Sequence, residues 1–201
     1  MTFNMHRWFC RLAVGAAAAL LLLTATTTSA QTGCVAEDLT AWAVNIGPSA
    51  LFESSAVEIH IGRWSTELEK DRFARTLLDH GPEALFKALR HADGVGTIRT
   101  PTTFPDDIIF AWQELELDGA RRIILVTDRP MVVWRESMRV AGNEDLFTVV
   151  ELRVAATGAG EGKVAIGSNI AVDRSLDLIQ LNDYDAAPLR LIDVQPKYST
   201  R

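Results

Sequence analysis

Asp107–Thr127 reads DIIFAWQELELDGARRIILVT, and this stretch decides the fold. Ile108, Ile109, Phe110 and Trp112 belong to a long extended run from Asp107 to Leu117. Asp118-Gly119 follows, a dipeptide in which both residues tolerate positive φ and which therefore marks a hairpin turn. Arg121–Thr127 then returns as Ile123, Ile124, Leu125 and Val126, apolar on both faces. A strand of that kind belongs in the middle of a sheet.

The region downstream repeats the pattern. Pro130 interrupts, and Met131–Trp134 reads as a short edge strand. Phe147–Ala156 and Lys163–Val172 are two further strands joined across the glycine-rich stretch Gly158–Gly162, with Val164, Ile166, Ile170 and Val172 sharing one face of the second. Leu176–Leu181 and Leu189–Val194 complete the series. Hairpins at regular spacing predict an antiparallel sandwich or barrel.

Upstream, Ala56–Arg63 alternates: Val57, Ile59 and Ile61 point one way, Glu58, His60 and Gly62 the other. The only strongly helical region comes next. Thr66 and Glu69 form a capping-box pair, and Leu68, Phe73, Leu77 and Leu78 supply an apolar stripe. Gly81 suits a helix C-cap and Pro82 the first position of a second helix carrying Leu85, Phe86 and Leu89. Trp64 stands just before the first cap, placed to clamp the helical pair to the sheet. A short helix is expected at Glu37–Val44. The fold class is thus α+β: an antiparallel sheet curled toward a sandwich or partly closed barrel, with a two-helix segment, Thr66–Ala92, packed on it.

The first thirty residues have a different character. Arg7 and Arg11 precede the uninterrupted apolar run Leu12–Leu23, and Thr28-Ser29-Ala30 places small residues where a signal peptidase reads. The run covers twelve residues, against the roughly 20 that a spanning helix needs. Residues 1–30 are therefore expected to be a cleaved export signal, with Gln31 the mature start and no transmembrane segment remaining. Residues 31–55 read as a partly ordered extension, 56–196 as one domain and 197–201 as a tail. Loss of Arg7 and Arg11 leaves 18 basic against 26 acidic residues, a net charge of −8. Such a surface repels nucleic-acid backbones and anionic lipid headgroups. Cys10 leaves with the leader, so Cys34 is the single mature thiol and no internal disulfide is available. Gly33-Cys34 has the look of a lipoprotein box, which makes Cys34 a candidate lipidation site, but Gln31 stands where that box wants an aliphatic residue. A free thiol is the better reading.

Thr127-Asp128-Arg129-Pro130 after the return strand, and Phe147–Arg153 running into the glycine-rich turn and Lys163, join the helical segment in a pattern. This pattern resembles a group of small exported bacterial proteins with no assigned activity. The resemblance implies a periplasmic or secreted location and assigns no catalytic residue.

No catalytic constellation stands out. His60, His80 and His91 lack the close ligand pair that a zinc site uses. Gly167-Ser168-Asn169 is no nucleophile elbow. Gly158, Gly160 and Gly162 precede a strand, whereas a phosphate loop precedes a helix. No metal or cofactor is implied. The ligand-binding candidates are Asp128 and Arg129, with Arg122 nearby in sequence, as an anion site at a sheet end. Trp112 is a candidate pocket wall and His60 a polar-face residue of a strand. The leading reading is a non-enzymatic binding or accessory protein of the cell envelope, with a small molecule or an envelope protein as partner. A structural or protein-interaction domain is the alternative, and a hydrolase using carboxylates and His60 a second one. A cavity lined by Trp or Phe would favour a ligand. A filled interior with an exposed apolar patch, around Trp42 or Met131–Trp134, would favour a protein. A buried acid beside His60 at a cleft would favour an enzyme.

Overall fold

The computed structural model describes residues 3–4, 36–45, 54–131, 147–166, 170–173, 178–181 and 189–197. The strands are β1 (Phe3–Asn4), β2 (Glu37–Asn45), β3 (Ser54–Ile61), β4 (Gly96–Arg99), β5 (Asp106–Leu115), β6 (Arg121–Thr127), β7 (Thr148–Val154), β8 (Gly160–Ile166), β9 (Ile170–Asp173), β10 (Leu178–Leu181) and β11 (Leu189–Pro196). The helices α1 (Glu67–His80) and α2 (Pro82–Arg90) lie between β3 and β4.

Eight strands close into a barrel in the order β11-β2-β3-β4-β5-β6-β7-β8. Every neighbouring pair is antiparallel, including the closing pair β11–β2. The curl expected from the hairpin series is thus complete. A separate three-stranded sheet has the order β1-β10-β9, its strands β9 and β10 lying between β8 and β11 in the chain.

Alternation builds the barrel interior. Leu39, Ala41 and Ala43 of β2, Val57, Ile59 and Ile61 of β3, Ile123 and Leu125 of β6, Val150, Leu152 and Val154 of β7, and Leu189, Leu191 and Val194 of β11 all point inward and are buried. Two irregularities help the sheet to bend. One lies in β5 between Ile108 and Phe110. It leaves Ile108 and Ala111 in the interior while Ile109 and Phe110 join the outer cluster. The other lies in β11 between Ile192 and Gln195. A bulge adds one residue, strengthens local twist and re-aims its neighbours. At Gly96 a Cβ would lie 2.1 Å from the carbonyl oxygen of His60, so only glycine lets β3 and β4 approach here.

The helices form as their sequence dictates. Thr66 accepts from the Glu69 amide while the Glu69 carboxylate accepts from the Thr66 amide. Gly81 takes a positive φ of 84° with ψ of −179°, outside the left-handed helical region, and Pro82 opens α2. Phe73, Leu77, Leu85, Phe86 and Leu89 pack on the outer side of β5–β7 against Ile109, Phe110, Phe147 and Val149. β6 is therefore apolar on both faces because it is covered on both, by the core inside and the helical pair outside.

Several local expectations are corrected. Glu37–Val44 is a strand: the alternation Leu39, Ala41, Ala43 aims into the barrel, and pairing on both edges overrides helix propensity. The segment read as a partly ordered extension thus supplies a barrel strand. Lys163–Val172 is not one strand but parts of β8 and β9, which belong to different sheets. Gly160 and Gly162 lie within β8, and the turn is confined to Ala155–Ala159. In the Asp118-Gly119 hairpin only Gly119 has positive φ, and the Gly119 amide donates to the Glu116 carbonyl. Trp64 packs against the barrel interior, not the helical pair. Trp112 takes the clamping place, with Lys70 Nζ 4.1 Å from its ring centroid. Most of the expected export signal, Cys34, Ser168 and residues 132–134 of the expected edge strand lie outside the described residues.

Candidate functional site

The helical pair covers one side of the barrel, over β5–β7, and the opposite side lies across the barrel from both helices. That side is the outer face of β11, β2, β3 and β4. Register places three residues in a row across it: Ile192 opposite Trp42, and Trp42 opposite Ala56. Trp42 is 49% exposed and Ile192 44% exposed. The next row along is polar, with Gln195 opposite Thr40, Thr40 opposite Glu58 and Glu58 opposite Arg99.

Charge surrounds the apolar pair. Glu58 accepts from Arg99 Nε at 2.8 Å and from Lys197 Nζ at 3.2 Å. Hydrogen bonding from Arg99, then from Lys197, holds the Glu58 carboxyl below the usual carboxylate range. His60 Nδ1 lies 2.7 Å from Asp38 Oδ1, directly across the β2–β3 register. On the other flank Asp193 sits in the β11 bulge, exposed, with φ of 51°. Among the described residues it is the only one other than glycine with positive φ. Continued alternation from Leu189 and Leu191 would aim position 193 into the barrel. The bulge turns Asp193 outward and returns Val194 to the core.

The candidates read from the sequence are scattered over the molecule. Asp128 and Arg129 lie beyond the end of β6 and bond each other, with Arg129 Nε 2.8 Å from Asp128 Oδ1. Asp128 first, then Asp106 and Asp107, hold Arg129 more firmly protonated than an ordinary arginine. The guanidinium fork is thus occupied by its own neighbour in acidic surroundings. The adjoining turn is tied by Thr127 and Thr148: Thr127 Oγ1 donates to the Arg129 carbonyl at 2.5 Å, and the Met131 amide to Thr148 Oγ1 at 3.2 Å. Arg122 lies outside on β6, with Nε 2.6 Å from Glu151 Oε1 and Nη1 3.6 Å from Glu114. Trp112, its diagonal neighbour on β5, is taken up by the helix–barrel interface. His60 has its acid partner, but the Asp38 side chain is 48% exposed on an open sheet face. Those are not the surroundings of a general base. His91 Nδ1 donates to the Lys87 carbonyl as a helix C-cap.

Two features escaped sequence reading. One is the strand that carries Trp42 outward, which the Leu39-Ala41-Ala43 alternation would have signalled. The other is a polar lock at one end of the barrel. Arg121 Nη1 and Nη2 lie 2.9 and 2.6 Å from the two Glu37 oxygens, and Nη1 lies 3.0 Å from Gln113 Oε1. These residues share the inward parity of β6, β2 and β5; β5 and β6 pair directly, and β2 comes across from them only on closure.

Comparison with protein-family models, curated proteins and solved structures finds no match.

The site is then judged on its chemistry. Among the described residues no three His, Cys, Asp or Glu side chains are grouped to hold a metal, and no helix is long and apolar enough to cross a membrane. The barrel carries ion pairs such as Arg122–Glu151 outside and aliphatic side chains inside. This is the reverse of a lipid-facing barrel.

Proposed function

We propose that this chain is an exported, non-enzymatic protein-binding module of the bacterial cell envelope, and that it engages its partner through the outer face of β11, β2 and β3. The observation that carries this reading is the exposed pair Trp42–Ile192, held in register within a charged surround. An aromatic anchor with a polar rim is the composition of protein interfaces. The aliphatic filling of the barrel core supports a surface role over a ligand held inside. Export is supported by Arg7, Arg11, the Leu12–Leu23 run and Thr28-Ser29-Ala30.

A photo-crosslinking amino acid at Ala56, beside Trp42, tests the reading in the native envelope. A discrete protein adduct should form and should disappear when Trp42→Ala is added. The same probe at Arg75, on the exposed side of α1, should give none. A Trp42-independent adduct pattern, or none at all, would refute the proposal. Mass spectrometry of the exported protein should find unmodified Gln31 at its start. A diacylglycerol mass on Cys34 would instead make it a lipoprotein.

A further inference from the structure

The loop that follows β4 adds a second contact to the Trp42 face, taking the protein-binding role of that face as given. We infer that Phe104 is a further anchor of this surface, and that the partner is a folded protein with an apolar pocket for one aromatic ring beside the flatter area that meets Trp42.

Register fixes where the loop stands. Arg99 pairs with Glu58 in the polar row, and Ala56 lies two residues before Glu58 on β3. In an antiparallel pair the position facing Ala56 is then two residues beyond Arg99, at Pro101. That position would continue the row Ile192–Trp42–Ala56 onto β4. The ladder between β3 and β4 ends at Arg99, and the chain turns out of the sheet beside the end of the apolar row. Phe104 follows, 93% exposed, with Pro101 and Pro105 exposed on either side of it.

Single exposed apolar side chains are ordinary on protein surfaces and need no purpose. Phe104 differs in the stiffness of its mount. Thr100 is buried and roots the loop in the barrel. The Thr103 amide donates to the Thr100 carbonyl at 3.3 Å, and the Thr100 amide donates to Thr103 Oγ1 at 3.2 Å, so the turn is tied twice. Pro101 takes the second position of this turn, where its fixed φ is the one required. Pro105 bars the residue before it from the helical region and holds Phe104 extended. Little backbone freedom is left to lose when the ring is bound, and preorganisation of this kind raises affinity.

Shape selects the occupant. A ring that stands clear of its surroundings is buried by a concavity and not by a flat surface. A bilayer would also take up a protruding ring. Yet even a myristoyl chain holds a protein to a membrane only marginally, and one ring is smaller. A protein pocket buries the ring and brings its own rim onto the adjoining apolar row, so that the two aromatic contacts act together.

A photo-reactive phenylalanine analogue in place of Phe104 tests this in the native envelope. Its adduct should contain the same protein as the Trp42-dependent adduct at Ala56, identified by mass spectrometry. That protein, purified, should bind with a Kd that Phe104→Ala raises about thirtyfold or more, as for an aromatic anchor. Phe104→Leu keeps much of the apolar volume and should lose less. Pro105→Ala leaves the ring in place but frees the backbone, and it should weaken binding as well. Circular dichroism melting of each variant checks that the barrel persists. A Kd unchanged by Phe104→Ala would overturn the inference. So would an adduct at position 104 with lipid, or with a protein other than the one captured at Ala56. In those cases a Trp42-dependent adduct at Ala56 leaves the binding face standing without its second anchor. If the Ala56 probe gives no such adduct, the face itself falls and Phe104 falls with it.

Discussion

Arg121 shows how much one side chain decides in this fold. Its guanidinium reaches from β6 to Glu37 on β2 and Gln113 on β5, and its side chain is 31% exposed against 20% for Glu37. A two-pronged pair that is partly withdrawn from water holds strands that are not neighbours. Arg121→Met keeps the length and the apolar stem but leaves Glu37 without its prongs. A loss of about 1–2 kcal/mol in urea unfolding is expected, and Glu37→Gln in the same background should recover part of it. A larger effect belongs to a smaller residue. A Cβ at Gly96 meets the His60 carbonyl oxygen at 2.1 Å and the Ile61 Cα at 3.1 Å, backbone atoms with no rotamer to change. Gly96→Ala should therefore cost about 2–4 kcal/mol, visible as a lower melting temperature. If Gly96→Ala melts like the wild type, β4 does not pack against β3 at this distance.

At the scale of the element, the N-terminus of α1 couples sequence, structure and pH. Arg63 bonds both Glu69 oxygens, at 3.0 and 2.8 Å, while Glu69 also closes the capping box with Thr66. Hydrogen bonding from Arg63 first, and then from the Thr66 amide, lowers the Glu69 carboxyl from 4.5 to about 2. A carboxyl depressed on folding adds stability that is fully present above its unfolded value and is lost as pH falls toward about 2. The side chain is partly solvated, so the contribution is about 1 kcal/mol, the scale of a helix cap with a screened charge. Glu69→Gln keeps the cap geometry and removes the titration. Its stability should run parallel to that of the wild type above pH 5 and converge on it between about pH 4.5 and 2; a constant gap across that window would show the charge is idle. This helix was legible because cap, stripe and proline all lie within local sequence. The Asp107–Thr127 hairpin was legible for the same reason, its turn residues standing between two apolar runs. β2 was not. Its inward apolar residues are Leu39 and two alanines, a weak alternation, and what makes it a strand is pairing with β3 and with β11, which lies some 150 residues further on. The division between β8 and β9 was hidden likewise, since periodicity continues across it while the partner strand changes. Of the candidate site, His60 was seen and its partner Asp38 was not, for that pair exists only in the β2–β3 register.

The whole molecule depends on one seam. β11 is the last barrel strand in the chain and pairs with both β8 and β2, so it converts a curled sheet into a closed wall. Without it β2 and β8 would each present a row of unpaired backbone amides and carbonyls, the edges that lead sheets to associate. Leu189, Leu191 and Val194 would also vanish from the interior, all three fully buried. At about 1.5–3 kcal/mol for each buried aliphatic side chain, their loss approaches the about 5–15 kcal/mol that keeps a domain of this size folded. A chain ending after Leu181 should therefore lack a cooperative thermal transition and should aggregate. The complementary experiment isolates the cause. A synthetic peptide spanning Leu189–Lys197, added to the truncated chain during refolding, carries the three core side chains and both hydrogen-bonding edges. It should bind between β8 and β2 and restore a cooperative melt. The same peptide with Leu191→Asp should not, because it would bring a charge into the aliphatic core beside Gly162. If truncation left the melt intact, the seam would be dispensable and the fold would be held by the β2–β8 meander and its helical cover alone.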